Sequence, residues 1–164
     1  MVVRHRAQRV LSRGDVRGLR RVFRGGVCAL RAAGVLAAVP GDGGCAQALK
    51  DQGFELGIIS NFDSRLFSVL RGLGIADLFD TVTISSLAHA AKPSARIFHQ
   101  ALEKHAVDPD EALHVGDSER DDVKGAQGVG LTGVLLARGE GARPSGGTTI
   151  GTLNELLPLL SRLQ

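Results

Sequence analysis

The chain has 164 residues, 43% of them hydrophobic and 23% charged, the balance of one ordinary globular domain with a real core. No apolar run approaches the roughly 20 residues of a membrane-spanning helix. The two cysteines, Cys28 and Cys45, form no C-x-x-C pair and read as reduced thiols of an intracellular protein, cytoplasmic or mitochondrial.

The formal charge of +3 conceals two unlike regions: residues 1–38 carry nine Arg against one Asp, whereas 39–164 carry eleven Lys and Arg against sixteen Asp and Glu. The first region also lacks Lys, Glu, Asn, Ile and Thr, so we divide the chain into an Arg-rich segment, 1–38, and a domain, 39–164. Three readings of the segment stay open. It suits an unstructured extension, or a mitochondrial transit peptide, being Arg-rich and nearly acid-free with apolar residues at loosely helical spacing. A nucleic-acid arm is the weakest of the three, with Phe23 as its one aromatic.

From Val39 onward helix-like and strand-like pieces alternate. Cys45–Gly53 reads as a short helix ended by its glycine, Phe54–Ser60 as a buried strand, and Ser64–Gly74 as a helix with Leu66, Phe67, Leu70 and Leu73 on one face. Asp80–Ser85 is a strand. Lys92–Val107 is a helix with Ile97, Phe98, Ala101 and Leu102 turned inward and Pro93 in its first turn. Glu111–Gly116 is a strand, Val123–Gly130 a glycine-broken helix, Leu131–Ala137 a strand and Arg138–Gly147 a loop. A terminal helix follows, with Thr152 and Glu155 at capping-box spacing. This alternation predicts an α/β fold, a Rossmann-like parallel sheet with flanking helices.

In such sheets ligands sit beyond the carboxyl ends of the strands. One strand end delivers Ser60 and Asn61, a hydroxyl and a backbone N–H suited to a phosphate oxygen. Lys92 supplies a fixed positive charge, and the strand Glu111–Gly116 runs into Asp117, Glu119, Asp121 and Asp122. Carboxylates that close repel one another unless a cation sits among them or water screens them. Glu119 and Asp121 are assigned to water, as the less well placed pair. His5, His89, His99, His105 and His114 show no metal-binding spacing and read as structural or exposed.

These pieces, in this order, resemble the haloacid dehalogenase superfamily of phosphohydrolases: "LGIISN" its second motif, "KP" its third and "GDSERDD" its fourth. The resemblance covers about Val39 to the C-terminus. It implies Mg2+ held partly by Asp117, with Asp122 supporting the metal through its waters or holding the loop. It also implies phosphoryl oxygens bound by Ser60 and the Asn61 N–H, and Lys92 as the catalytic cation that offsets charge on nucleophile and phosphate. The implied partner is a phosphorylated small molecule; no membrane partner is expected, and nucleic acid is the disfavoured alternative.

The family's first motif, D-x-D-x-T, which carries the nucleophile and the acid/base, has no counterpart. The one D-x-D is "DPD" at Asp108 and Asp110, between the third and fourth motifs, while Asp15 and Asp42 are solitary. The sheet is therefore expected to be incomplete at its N-terminal strand, with a slot two strand spacings wide, roughly 9 to 10 Å. Gly34–Val39 is a candidate substitute strand; direct pairing of the flanking strands and a poorly stable chain are the alternatives. The helical cap is missing too. The expectation is a truncated member of the family with a phosphate and metal half-site and impaired phosphoryl transfer. Two rivals stand beside it. One is a non-catalytic scaffold; the other is a dinucleotide-binding module, since Gly41, Gly43 and Ala46 satisfy G-x-G-x-x-A.

Overall fold

The computed structural model describes residues 29–30, 42–138 and 147–163. All strand pairings in it are parallel. β1 (Ala29–Leu30) pairs with β2 (Gly57–Ser60), and β2 with β3 (Thr81–Ile84). β4 (Leu113–Gly116) pairs with β5 (Thr132–Leu136), and β5 with β6 (Thr148–Ile150). β1 also lies alongside β4, so the strands run β3-β2-β1-β4-β5-β6 in space. That is the doubly wound order, whose topological switch point falls between β1 and β4.

The alternation of side chains along β2 shows why helices cover both faces. Ile58 enters one apolar cluster with Leu49 of α1 (Asp42–Asp51), Leu66 and Leu70 of α2 (Arg65–Gly72), and Leu156 and Leu160 of α6 (Leu156–Leu163). Ile59 enters a second, with Ala88 of α3 (Ser85–Ala88), Ile97, Phe98 and Ala101 of α4 (Ala95–His105), and Ala126 of α5 (Gly125–Gln127). Consecutive strand residues point to opposite faces, and each face is buried by its own helical layer. The predicted elements recur with boundaries shifted by a few residues. Gly53 (φ 84°) closes α1, its N–H donating to the Lys50 carbonyl and that of Phe54 to Leu49. Thr152 and Glu155 form the expected capping box.

Two expectations need correcting. The slot beside β2 is filled, and by Ala29–Leu30 of the Arg-rich segment, in register Ala29 to Gly57 and Leu30 to Ile58. β2 and β4 therefore do not pair directly, and Gly34–Val39 lies outside the described residues. The helix after Lys92 starts at Ala95, not at Lys92, because a residue that precedes proline is disfavoured in the helical region. β6 occupies the unassigned residues between the predicted loop and the terminal helix; three residues carry too little period to announce a strand.

The buried Cys45 thiol donates to the Leu153 carbonyl at 2.9 Å. Cys28, Asp15, His5 and Gly41 lie outside the described residues, and so does most of the Arg-rich segment. No described helix is long and apolar enough to cross a membrane.

Candidate functional site

The carboxyl ends of β2 and β4 are joined by a continuous run of polar contacts. Asn61, just past β2, is locked to the backbone of Lys92 in both directions: the Lys92 N–H donates to Asn61 Oδ1 at 2.6 Å, and Asn61 Nδ2 donates to the Lys92 carbonyl at 3.0 Å. Lys92 Nζ then donates to Asp122 Oδ1 in an ion pair whose members are both buried. His114 Nε2 donates to the same oxygen at 2.8 Å, and the Ser118 N–H donates to Oδ2 at 3.0 Å.

Local sequence explains why the loop after β4 can fold this way. His114 and Gly116 share one face of β4 by strand alternation, and the Asp122 carboxyl lies over Gly116. A Cβ there would come within 2.1 Å of Asp122 Cγ, so only glycine lets the carboxylate reach His114. The chain after Asp117 winds through the π-helical turn Glu119–Lys124, started by Ser118, whose hydroxyl accepts from the Asp121 N–H. That turn brings Asp122 back over the strand it has just left.

The electrostatics follow from burial. Burial opposes the ionised form of Asp122, but hydrogen bonds and charge from His114 and Lys92 outweigh it and hold the carboxyl well below the usual range. Burial pushes the His114 imidazole down to about 3, against the pull of Asp122 and with the Lys92 charge adding to the shift. His114 is therefore neutral at ordinary pH, with the proton on Nε2 facing the carboxylate. Among the described residues its Nδ1 has no hydrogen-bond partner, and neither does the buried Ser60 Oγ at the tip of β2.

Of the five residues singled out in the sequence, Asn61, Lys92 and Asp122 are joined directly. Ser60 and Asp117 are chain neighbours of that network, one residue before Asn61 and one before Ser118. Asp122, expected either to support a metal through its waters or to hold the loop, lies beneath the rim. It is fully buried, and its oxygens are taken by Lys92, His114 and the Ser118 N–H. The Ser118 N–H ties the carboxyl to its own loop, and His114 ties it to β4.

Asp117, exposed at the tip of β4, is the carboxylate of the fourth motif placed at the rim. No group of three or more His, Cys, Asp or Glu able to hold a metal occurs among the described residues. A Mg2+ ion would fit here only as Mg2+ commonly binds, through one or two carboxylates with water and substrate phosphate as its other ligands. Glu119, assigned to water, pairs with Lys124 at 3.0 Å on the surface.

His114 was missed as part of the site. Its sequence signal was a lone histidine inside the apolar strand "ALHVG", which by itself is indistinguishable from a core residue.

Fold and rim together define a doubly wound α/β domain with a lysine-bearing polar edge at its switch point. The family model for haloacid dehalogenase-like hydrolases matches residues 11–130, and the chain belongs to that family. The match begins within the Arg-rich segment. The chain is 38% identical over 121 residues to haloacid dehalogenase-like hydrolase domain-containing protein 3 of Bos taurus, covering 70% of this chain and 48% of the relative. It is 35% identical over 89 residues to the glyceraldehyde 3-phosphate phosphatase of Methanothermobacter thermautotrophicus, covering 54% and 39%. The solved structure of a HAD phosphatase from Thermococcus onnurineus superposes with a TM-score of 0.68 at 36% identity, over 71% of this chain and 55% of that one. The chain thus spans about half or less of these curated relatives.

Proposed function

We propose that this chain binds the phosphoryl group of a phosphorylated small molecule at the rim between β2 and β4, as a phosphatase-type core whose phosphoryl transfer is severely impaired. The observation that carries the reading is the Ser60 hydroxyl at the carboxyl end of β2, 1% exposed and without a partner among the described residues. A buried hydroxyl left unpaired lowers stability. A phosphoryl oxygen is the acceptor it lacks. The Asn61 N–H is one residue away, and Lys92 supplies the positive charge that an anion in a poorly solvated site requires.

Asp117 would hold Mg2+ together with water and phosphate oxygens. The ion, when bound, supplies charge neutralisation. Impairment follows from what succeeds β1 in the chain: Arg31, Ala32, Ala33 and Gly34, none of them a carboxylate able to attack phosphorus. Binding without turnover is also what a non-catalytic scaffold of this fold would show.

Calorimetric titration with inorganic phosphate tests the binding. We expect saturable binding that Ser60→Ala weakens about tenfold, the worth of a hydrogen bond to a charged group. The same substitution should leave the unliganded chain as stable as before or more so, because it removes an unpaired buried hydroxyl. Turnover of p-nitrophenyl phosphate with Mg2+, abolished by Asp117→Asn, would overturn the impairment.

A further inference from the structure

The buried imidazole beneath the rim is not explained by packing. His114 is wholly enclosed on β4 between the apolar Leu113 and Val115, with the Phe98 ring edge-on at 5.2 Å between centroids. Its Nδ1 is an acceptor with no partner among the described residues. An apolar side chain would fill such a position without leaving a polar atom bare.

What the histidine does make is one bond, Nε2–H to Asp122 Oδ1, the oxygen that also receives Lys92 Nζ. With the Ser118 N–H on Oδ2, the carboxyl is held from the strand below and from its own loop. Its remaining contact is the ammonium group. The opposite tautomer would bury an unpaired N–H and turn a lone pair toward a carboxylate, so the donor at Nε2 is obligatory.

We propose that His114 is a positioning residue for Lys92: by clamping Asp122 Oδ1 it fixes where the ammonium group sits and so where the rim presents its positive charge. The proposal rests on the phosphate reading for its consequence, not for its geometry. His114 touches no ligand. It acts through Asp122, and Lys92 is held at its other end by Asn61. Position 114 thereby sets the last free coordinate of the lysine, the direction of Nζ.

Two substitutions separate the donor from the ring. His114→Phe keeps an aromatic ring and removes the donor; His114→Gln keeps a donor near the place of Nε2 and removes the ring. The first readout is ligand-free: the 15N-edited NMR signal of the Lys92 ammonium in the full chain, assigned by its loss in Lys92→Met. The second is affinity for inorganic phosphate. His114→Phe should shift or broaden the Lys92 signal and weaken phosphate about 10-fold to 100-fold, the range for removing a group that orients a ligand residue. His114→Gln should restore both toward wild type.

A folded His114→Phe chain with the Lys92 signal and phosphate affinity of wild type overturns the proposal. Equal losses in His114→Gln and His114→Phe also overturn it, since the donor would then be irrelevant. Should His114→Phe fail to fold, His114→Asn, too short to reach Asp122, takes its place with the same expectations. A wild-type chain that binds no phosphate removes the phosphate reading, while the Lys92 signal still decides the role of His114.

Discussion

The two edges of the sheet each carry a histidine bonded to a carboxylate, yet they are built differently. At the amino edge, His105 at the end of α4 bonds Glu55 Oε2 through Nδ1 at 3.0 Å and Thr81 Oγ1 through Nε2 at 2.6 Å. Beside it Lys50 pairs with Asp80, which also accepts the Leu56 N–H, and Lys104 donates to Thr83 and the Val82 carbonyl. Both nitrogens of His105 are engaged and Glu55 is partly open to water. This edge is a clasp that ties α1 and α4 to the strand starts.

At the carboxyl edge, His114, Asp122 and Lys92 are buried more deeply, but Ser60 Oγ and His114 Nδ1 are left without partners among the described residues. An acid–histidine pair alone therefore does not mark a site. Unsatisfied polar atoms held in place by a satisfied network do, because stability alone would not retain them.

The comparison can be broken most sharply at Asp122. Asp122→Ala strips the buried Lys92 ammonium of its counter-charge and should cost about 3 to 5 kcal/mol in urea unfolding, with loss of phosphate binding. A cost below about 1 kcal/mol would show that the carboxyl edge is no more tightly built than an exposed ion pair.

Acid sharpens the contrast next. The folded chain keeps His114 neutral down to about 3, whereas the unfolded chain takes up a proton near 6.5. The contribution of His114 is thus complete above about pH 6.5 and drains as pH falls toward 3, by about 1.4 kcal/mol per pH unit. The depressed carboxyl of Asp122 adds loss of the same sign below its ordinary value of 3.8. Burial lowers His105 as well, but Glu55 opposes it. Stability curves measured from pH 7 to 4 should therefore flatten far more in His114→Gln than in His105→Gln. Equal flattening would erase the distinction between the edges.

The smallest effect belongs to the amino edge. Lys50→Met removes a pair whose side chains are 27% and 36% exposed, so it should cost about 0.5 kcal/mol and leave phosphate affinity unchanged. A large loss of affinity there would mean that the two edges are coupled through the sheet.

Much of this molecule was legible in its residues. The alternation of short apolar runs with amphipathic segments placed β2, β3, β4 and β5 and the longer helices, and with them the strand ends at Ser60 and Asp117. Lys92 was singled out as a fixed positive charge beside those strand ends, though the start of the helix that follows was misplaced. These are local properties: period and turn chemistry act over a few residues and survive without knowledge of distant neighbours.

Tertiary structure alone decided three matters. Ala29 and Leu30 form a strand because β2 and β4 leave them a place, and two residues have no period of their own to read. Asp122 turns inward instead of joining Asp117 at the rim, because Gly116 clears its path and Lys92 and His114 wait beneath. His114 itself, an unremarkable histidine in an apolar strand, becomes part of the site through its bond to Asp122, 8 positions away, which in turn pairs with Lys92. The reason is common to all three. Periodicity tells a side chain which way to face, but the partner it meets there is chosen by segments far off in the chain.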